Sequence, residues 1–490
     1  MNEPNPPAWV HDAVFYQIFP DRFARSDRVA KPSNLEPWGA PPSRDGYQGG
    51  DLFGVIERLD YLQDLGVNAL YFTPIFRSAS NHRYHTHDYE QVDPMLGGNR
   101  ALSQLLDEAH GRGMRVILDG VFNHASRGFF QFHDILENGR RSAYIDWFTV
   151  HGFPLHAYES ERKPNYAAWW GLHALPKFNI KNPEVRDFLL GIARRWVEFG
   201  IDGWRLDVPN EIDDDDFWRR FRQTVRDANP DSYIVGEIWH DASRWLQGDM
   251  WDAVMNYSLT RALLAFVIGD EGDASLIEPT SLHPLGPPGA EAFGKALTSI
   301  LERHHGQVNH SMLNLVGSHD MARIISLGRG DASATRLALL FLMTFPGAPC
   351  IYYGDEIGMS GGHDPHNRAA FPWHAPDSWD HDLRRDVRQF IQLRHRSPCL
   401  RHGEFRAIHA KQRLFAFERT GSTGERMIVA LNAGGSTDRI DLTLENGVHP
   451  RWTARDALSG ESLPPITSAR MKLSIPARTG RVILLEPGVG

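Results

Sequence analysis

Gly203-Trp204-Arg205-Leu206-Asp207-Val208-Pro209-Asn210-Glu211 begins as an apolar strand and ends by delivering two opposite charges. Successive side chains on an extended strand alternate faces, so Arg205 and Asp207 point the same way and the guanidinium lies beside the carboxylate. A neighbouring positive charge favours the ionised form, and on this reading Asp207 stays an anion at neutral pH. One βα unit later, Tyr233-Ile234-Val235-Gly236-Glu237-Ile238-Trp239-His240 repeats the design. No cation adjoins Glu237 in sequence, and its apolar neighbours Ile238 and Trp239 suggest a pKa pushed upward. One carboxylate kept charged and one kept protonated is the nucleophile and acid pairing of retaining glycoside cleavage.

Outward from this pair, apolar strands and amphipathic helices alternate through most of the chain. The patterns predict strands at residues 14–20, 67–72, 115–121, 201–208, 233–238, 253–256, 311–317 and 349–353. Helices are predicted at 51–65, 101–110, 183–199, 216–228, 334–345 and 382–394. Such alternation specifies an α/β fold, a (β/α)8 TIM barrel over about residues 10–395. Residues 123–180, between the third strand and its helix, are rich in aromatics and too long for slack chain. They are expected to form a lobe over the C-terminal face of the barrel, where this fold builds its active sites. For any one of its rings, Trp169 and Trp170 included, packing is the better expectation, yet a sugar cleft needs some rings exposed as flat platforms.

After about residue 397 the texture changes to short alternating strands, at 414–418, 427–431, 439–444 and 481–485, separated by Gly, Asn and Ser. They read as an antiparallel β-sandwich. The expected domains are a barrel from 1–122 and 181–396, an inserted domain from 123–180 and a C-terminal sandwich from 397–490.

Composition narrows the function. A chain of 490 residues is ample for a barrel with two smaller domains. With 52 basic against 61 acidic residues, a net charge of −9 and no basic run, nucleic acid is not an expected partner. The first residues show neither the basic nor the apolar region of a signal peptide, and no apolar stretch reaches membrane length. Two cysteines, Cys350 and Cys399, cannot make a disulfide framework. The expectation is a cytoplasmic protein with no membrane association. His82, His85 and His87 cluster in sequence, but no Cys or His set completes a tetrahedral site, so no metal is expected there. The acidic run at 213–216 suits a helix N-terminus.

Four blocks, each at a predicted strand end, carry a resemblance: Asp119-Gly-Val-Phe-Asn123-His124, Gly203-Trp-Arg-Leu-Asp207, Gly236-Glu237-Ile-Trp239-His240 and Gly317-Ser-His319-Asp320. In that order they resemble the α-amylase-type glycoside hydrolases, which share a barrel, a lobe inserted after strand three and a C-terminal β-domain. Leu175-Pro-Lys-Phe-Asn179, Asp207-Val-Pro-Asn-Glu211, Glu237-Ile-Trp-His-Asp241, Tyr352-Tyr-Gly-Asp-Glu-Ile-Gly-Met and Asp364-Pro-His-Asn-Arg368 look most like the neopullulanase, cyclomaltodextrinase and maltogenic amylase group.

The resemblance implies a retaining α-glucan hydrolase that acts on α-1,4 bonds, with α-1,6 bonds a further option. Its substrates would be maltooligosaccharides, cyclodextrins or pullulan, with maltose or glucose released and no cofactor required. By the same resemblance Asp207 is the nucleophile, Glu237 the general acid/base and Asp320 the third carboxylate. Tyr84, His124 and His319 would contact the sugar at the cleavage point, and Arg205 would hold Asp207. Trp239 and Glu211 would face the aglycone, and Asp364 with Arg368 would grip the non-reducing end. The first two carboxylates should stand about 5 to 5.5 Å apart. A 4-α-glucanotransferase or α-glucosidase would use the same residues. A non-catalytic sugar-binding relative should have lost a carboxylate, and all three are present.

Relatives in this group usually begin with an additional β-domain that helps them dimerise, whereas here the barrel pattern starts almost at once; monomer and homodimer both stay open. Pro209 stands where Ala is usual and stiffens the turn carrying Asn210 and Glu211. The loop after Phe23, a calcium site in several relatives, reads Ala24-Arg25-Ser26-Asp27-Arg28-Val29-Ala30-Lys31. A hard cation wants several oxygen ligands and this loop supplies cations, so calcium is not favoured, with Asp27 and Asp51 left as residues that could form part of a site.

Overall fold

The computed structural model describes residues 3–422, 424–444, 452–464 and 470–486. Eight parallel strands form the centre: β1 (Phe15–Ile18), β2 (Ala69–Phe72), β3 (Arg115–Gly120), β4 (Gly203–Leu206), β5 (Tyr233–Gly236), β6 (Ala253–Val254), β7 (Leu313–Leu315) and β8 (Ala348–Tyr352). They pair in the order β6-β5-β4-β3-β2-β1-β8-β7, and a parallel bridge between Met255 and Leu313 joins the two ends. The (β/α)8 barrel is therefore closed. Strands covered on both faces read as continuous apolar runs, and β2 and β4 are buried along their whole length.

Register decides what reaches the mouth. Asp119, Arg205 and Val235 form one row across β3, β4 and β5, and Gly120, Leu206 and Gly236 form the next. Asp207 and Glu237, each following the last residue of its strand, thus leave the barrel at the same height. Gly203 permits this close pairing, since a Cβ there would lie 2.2 Å from the Tyr233 carbonyl oxygen.

The helix Pro183–Phe199 starts with Pro at its first position and an Asn182 side-chain cap, and stops at Gly200 in a positive-φ conformation. The single helix expected at 51–65 is two, Leu52–Ile56 and Leu59–Leu65, interrupted at Glu57 and Arg58. The first is pinned to the loop after β1: Asp51 caps it, and Gly54 lies so close to the Ala24 carbonyl that a Cβ would meet it at 2.4 Å. Two further helices, Tyr257–Ile268 and Ala290–Glu302, fill the gap between β6 and β7. The first is buried almost all round, so it shows no amphipathic stripe.

Residues 123–180 fold over the C-terminal mouth through antiparallel bridges His124–Lys177, Phe148–Phe178, Val150–Tyr166 and Ala168–Pro176. Phe129, Phe132, Trp147 and Phe148 are buried, whereas Phe130, Tyr158 and Trp170 are exposed. Packing holds for the first four rings, whereas Trp170, for which packing is the expectation, is exposed with one face on Trp169.

Beyond the barrel, Glu404–Lys411, Leu414–Thr420, Arg426–Asn432, Thr479–Glu486 and Thr453–Asp456 make a five-stranded sheet, and Asp438–Thr443 pairs with Arg470–Ile475 in a second. Alternate side chains of the large sheet serve different cores. Leu414, Ala416, Ile428 and Ala430 face the sandwich interior, while Phe415, Phe417, Met427 and Val429 join the apolar core of the barrel. Among the described residues no helix is long and apolar enough to cross a membrane.

Candidate active site

Arg205 is the centre of the mouth and is fully buried. Its Nη1 donates to both oxygens of Asp119 at 2.9 Å and to Asp207 Oδ1 at 3.0 Å. The shared face expected of Arg205 and Asp207 is therefore realised. Its Nη2 forms an ion pair with Glu237 Oε2 at 2.9 Å. This last contact corrects the reading of Glu237 as a carboxyl without a cation: the charge comes from the neighbouring strand, invisible in local sequence.

The electrostatics of Asp207 also differ from the expectation. Burial pushes its carboxyl well above the usual range, and repulsion from Glu237, Asp119 and Asp320 adds to it, against the pull of Arg205. One guanidinium divided among three carboxylates does not offset the lost hydration. Burial likewise raises Asp119 to about 6, again opposed by Arg205.

Glu237 is held at both oxygens. Oε2 accepts the Val208 backbone N–H at 3.1 Å, and Oε1 accepts the Trp239 indole N–H at 3.0 Å. Val208 sits at φ 37° and ψ 50°, a left-handed conformation that is strained for a β-branched residue. Trp239 lies flat on Tyr257 with ring centroids 3.6 Å apart.

Across the mouth, β7 ends at Leu315, and this release lets the adjacent His319 and Asp320 act together: His319 Nε2 lies 3.2 Å from Asp320 Oδ2. Gln17 Nε2 donates to His319 Nδ1 at 2.8 Å, which fixes the ring proton on Nε2. That nitrogen lies 2.6 Å from the Tyr84 hydroxyl, which donates to Asp119 at 2.8 Å. A hydrogen-bonded chain thus runs Gln17, His319, Tyr84, Asp119, Arg205. Burial holds the His319 imidazole far below its ordinary value, so the ring is neutral.

His124 is buried, with its pKa lowered by burial to about 3. Asn123 Nδ2 lies 3.2 Å from its Nδ1, placing the proton on Nε2, and Nε2 has no partner among the described residues. Behind the ring, Trp169 stacks on His124 at 5.3 Å and Trp170 stacks on Trp169 at 4.6 Å.

Asp364 and Arg368 pair at 3.0 Å, and Arg368 also lies 3.5 Å from Asp320, so the expected chain-end pair adjoins the carboxylate cluster. Glu211 faces the insert, paired with Lys177 at 2.9 Å. Sequence reasoning quoted Asp119 without giving it a place in the site, and it missed Gln17, Tyr71, Val208, Tyr257 and Lys177. Tyr71 donates to Asp119 at 2.9 Å. The position of Asp119, the first residue of its block and at the end of a predicted strand, is the signal that could have found it.

The loop after Phe23 does not suit a calcium ion. Lys31 Nζ stands 3.0 Å from Asp51 Oδ2 and 2.6 Å from the Met95 carbonyl, and Asp51 also accepts from the Ser26 backbone and hydroxyl and from Gly54 N. An ammonium group stands where a metal would compete for these oxygens. Among the described residues no group of three or more His, Cys, Asp or Glu is placed to hold a metal ion, the histidines near Tyr84 included.

A closed (β/α)8 barrel with a carboxylate cluster, neutral imidazoles and aromatic platforms at its C-terminal mouth defines a glycoside hydrolase. Residues 17–399 match the alpha amylase catalytic domain, and the chain belongs to the alpha-amylase family. It is 42% identical over 459 residues to a cyclomaltodextrinase of Geobacillus thermopakistaniensis, covering 93% of this chain and 74% of that one. Over 481 residues it is 42% identical to neopullulanase 2 of Thermoactinomyces vulgaris, covering 97% and 78%. A debranching enzyme structure from Nostoc punctiforme superposes with a TM-score of 0.88 at 44% identity, covering 98% of this chain and 100% of that one.

Proposed function

We propose that the mouth cleaves α-1,4-glucosidic bonds of maltooligosaccharides, cyclodextrins or pullulan, and α-1,6 bonds where the acceptor side admits them, through a covalent glycosyl-enzyme intermediate. The observation that carries this reading is the single guanidinium of Arg205 holding Asp207 and Glu237 from two neighbouring strand ends. Asp207 Oδ1 is tied to Arg205, which leaves Oδ2 to attack the anomeric carbon. Glu237, acting as the general acid, gives a proton to the leaving oxygen and then takes one from the water that resolves the intermediate. Asp320 and the Nε2 proton of His124 grip ring hydroxyls, and His319, whose Nε2 proton goes to the Tyr84 hydroxyl, lies against Tyr84 as that ring stacks on the sugar.

In the same reading Trp239 and Glu211 border the aglycone, and Asp364 with Arg368 holds the non-reducing end, which favours short chains and release of maltose or glucose. The division into a barrel (1–122 and 181–396), an insert (123–180) and a C-terminal sandwich (397–490) belongs to it too. So does a cytoplasmic monomer or homodimer, which the buried free thiols of Cys350 and Cys399 suit. Chromatography of products over time on maltotriose, a cyclodextrin and pullulan tests the proposal. Release of maltose or glucose with initial retention of the α-anomer supports it; no cleavage of any of the three ends it.

A further inference from the structure

Asn367 is fully buried beside the mouth. Its Nδ2 donates to the His319 carbonyl at 2.7 Å and to the Met321 carbonyl at 2.9 Å. These carbonyls lie on either side of Asp320, so one amide clamps the backbone that carries this carboxylate. The clamp is itself anchored. Arg323, fully buried, donates from Nε to the Asn367 carbonyl at 3.1 Å and from Nη1 to Asp355 at 2.8 Å and to the Tyr353 carbonyl at 2.7 Å. The next residue, Arg368, donates from Nε to the same His319 carbonyl at 2.9 Å. Gly361 completes the close approach, since a Cβ there would meet the His366 carbonyl oxygen at 2.4 Å and Asn367 Cα at 2.8 Å.

We propose that Asn367 is a positioning residue for the reaction: its two hydrogen bonds fix the aim of Asp320 and lock it to the loop bearing Asp364 and Arg368. This inference rests on reading Asp320 as the third carboxylate. β7 ends five residues before Asp320, and no strand pairing holds the chain there. Rotation of either flanking peptide breaks one of the two bonds, so the clamp supplies the rigidity the ended strand does not. Loop and carboxylate then behave as one body, and the grip on a chain end is transmitted to the group facing the scissile sugar.

The test compares Asn367→Ala, Asn367→Asp, Asp320→Asn and the double variant Asn367→Ala/Asp320→Asn on maltotriose. Loss of aim by about 1 Å costs on the order of 10²-fold. Asn367→Ala and Asn367→Asp should therefore lower kcat by about that factor with KM within about threefold, and circular dichroism should match the parent. In the Asp320→Asn background the Asn367 change should have no further effect, because the group it aims is gone. Parental kcat in both Asn367 variants, alongside an impaired Asp320→Asn, overturns the positioning role while keeping the role of Asp320. An equal loss in both backgrounds also overturns it, because the residue then acts independently of Asp320. Failure of both single Asn367 variants to fold assigns the residue to the fold alone and overturns it too. Full activity of Asp320→Asn removes the underlying reading of the site.

Discussion

The Arg205 guanidinium is ion-paired to Glu237, Nη2 to Oε2 at 2.9 Å, while its other terminal nitrogen serves Asp207 and Asp119. A planar fork reaches three carboxylates at once, and a lysine ammonium offers only one point charge. Arg205→Lys should lower kcat by about 10²- to 10³-fold, the usual loss when one aimed donor goes. It should also destabilise the fold by about 3 kcal/mol, because a buried carboxylate is left unpaired. Steady-state kinetics and urea unfolding check both numbers, and a parental kcat would refute the shared role.

Asp207→Asn and Glu237→Gln conserve shape and remove the chemistry. Each should reduce kcat by several orders of magnitude with circular dichroism unchanged, as expected when a group acts only in the transition state. Either variant working at the parental rate would mean its role is misassigned.

Acid should weaken the fold. His11 and His85 are lowered to about 4, and His124 and His310 to about 3, all mainly by burial. Their folded values lie below the ordinary 6.5, so their stabilising contribution is present above pH 6.5 and is lost as pH falls toward 3 to 4. Asp119 at about 6 and Asp355 at about 7, also raised by burial, work the other way: the folded state holds their protons, and stability falls as pH rises from about 4 toward those values. Asp207, Asp320 and Glu356 are raised and His82, His87, His304, His319, His395 and His409 lowered in the same senses, so lowered imidazoles outnumber raised carboxyls and stability falls from pH 6 toward 4. Urea midpoints at pH 7, 6 and 5 should decline in that order; a rise toward pH 5 contradicts this balance.

Lys31 Nζ sits between Asp51 and the Met95 carbonyl in the loop after β1, so this loop is expected to need no metal. Lys31→Met removes the ammonium from between Asp51 and the Met95 carbonyl and should cost about 3 kcal/mol, the loss expected when a buried pair is broken. The parent should keep its melting temperature in a chelator and gain nothing from calcium. A chelator-induced drop in the parent would show that the loop does need a metal.

Val208 holds its strained backbone to aim an N–H at Glu237. Val208→Gly relieves that strain while Val208→Ala, which also trims the side chain, does not. The glycine variant should be more stable than the alanine variant by about 1 kcal/mol. Thermal midpoints of the two compare them directly, and an alanine variant at least as stable as the glycine one would show that the conformation stores no strain.

Local pattern carried the strands, the common face of Arg205 and Asp207, and the release of His319 and Asp320 at a strand end. What it could not carry came from neighbours distant in the chain. The cation beside Glu237 is set by the register of β4 on β5, and the upward shift of Asp207 by its burial at the mouth, with repulsion from Glu237, Asp119 and Asp320 adding to it. Tyr257–Ile268 was hidden because burial almost all round leaves little periodicity to read, and the break at Glu57 and Arg58 because the apolar spacing runs across it unbroken.

The large C-terminal sheet turns one face into the barrel: Phe415 meets Phe293 edge-on at 5.0 Å, and Phe417 meets Phe341 at 5.8 Å. The sandwich is consequently not a detachable appendage. Truncation ahead of Glu404 would bare a contiguous aromatic patch on the barrel flank, and such a shortened enzyme should precipitate rather than work as a smaller catalyst.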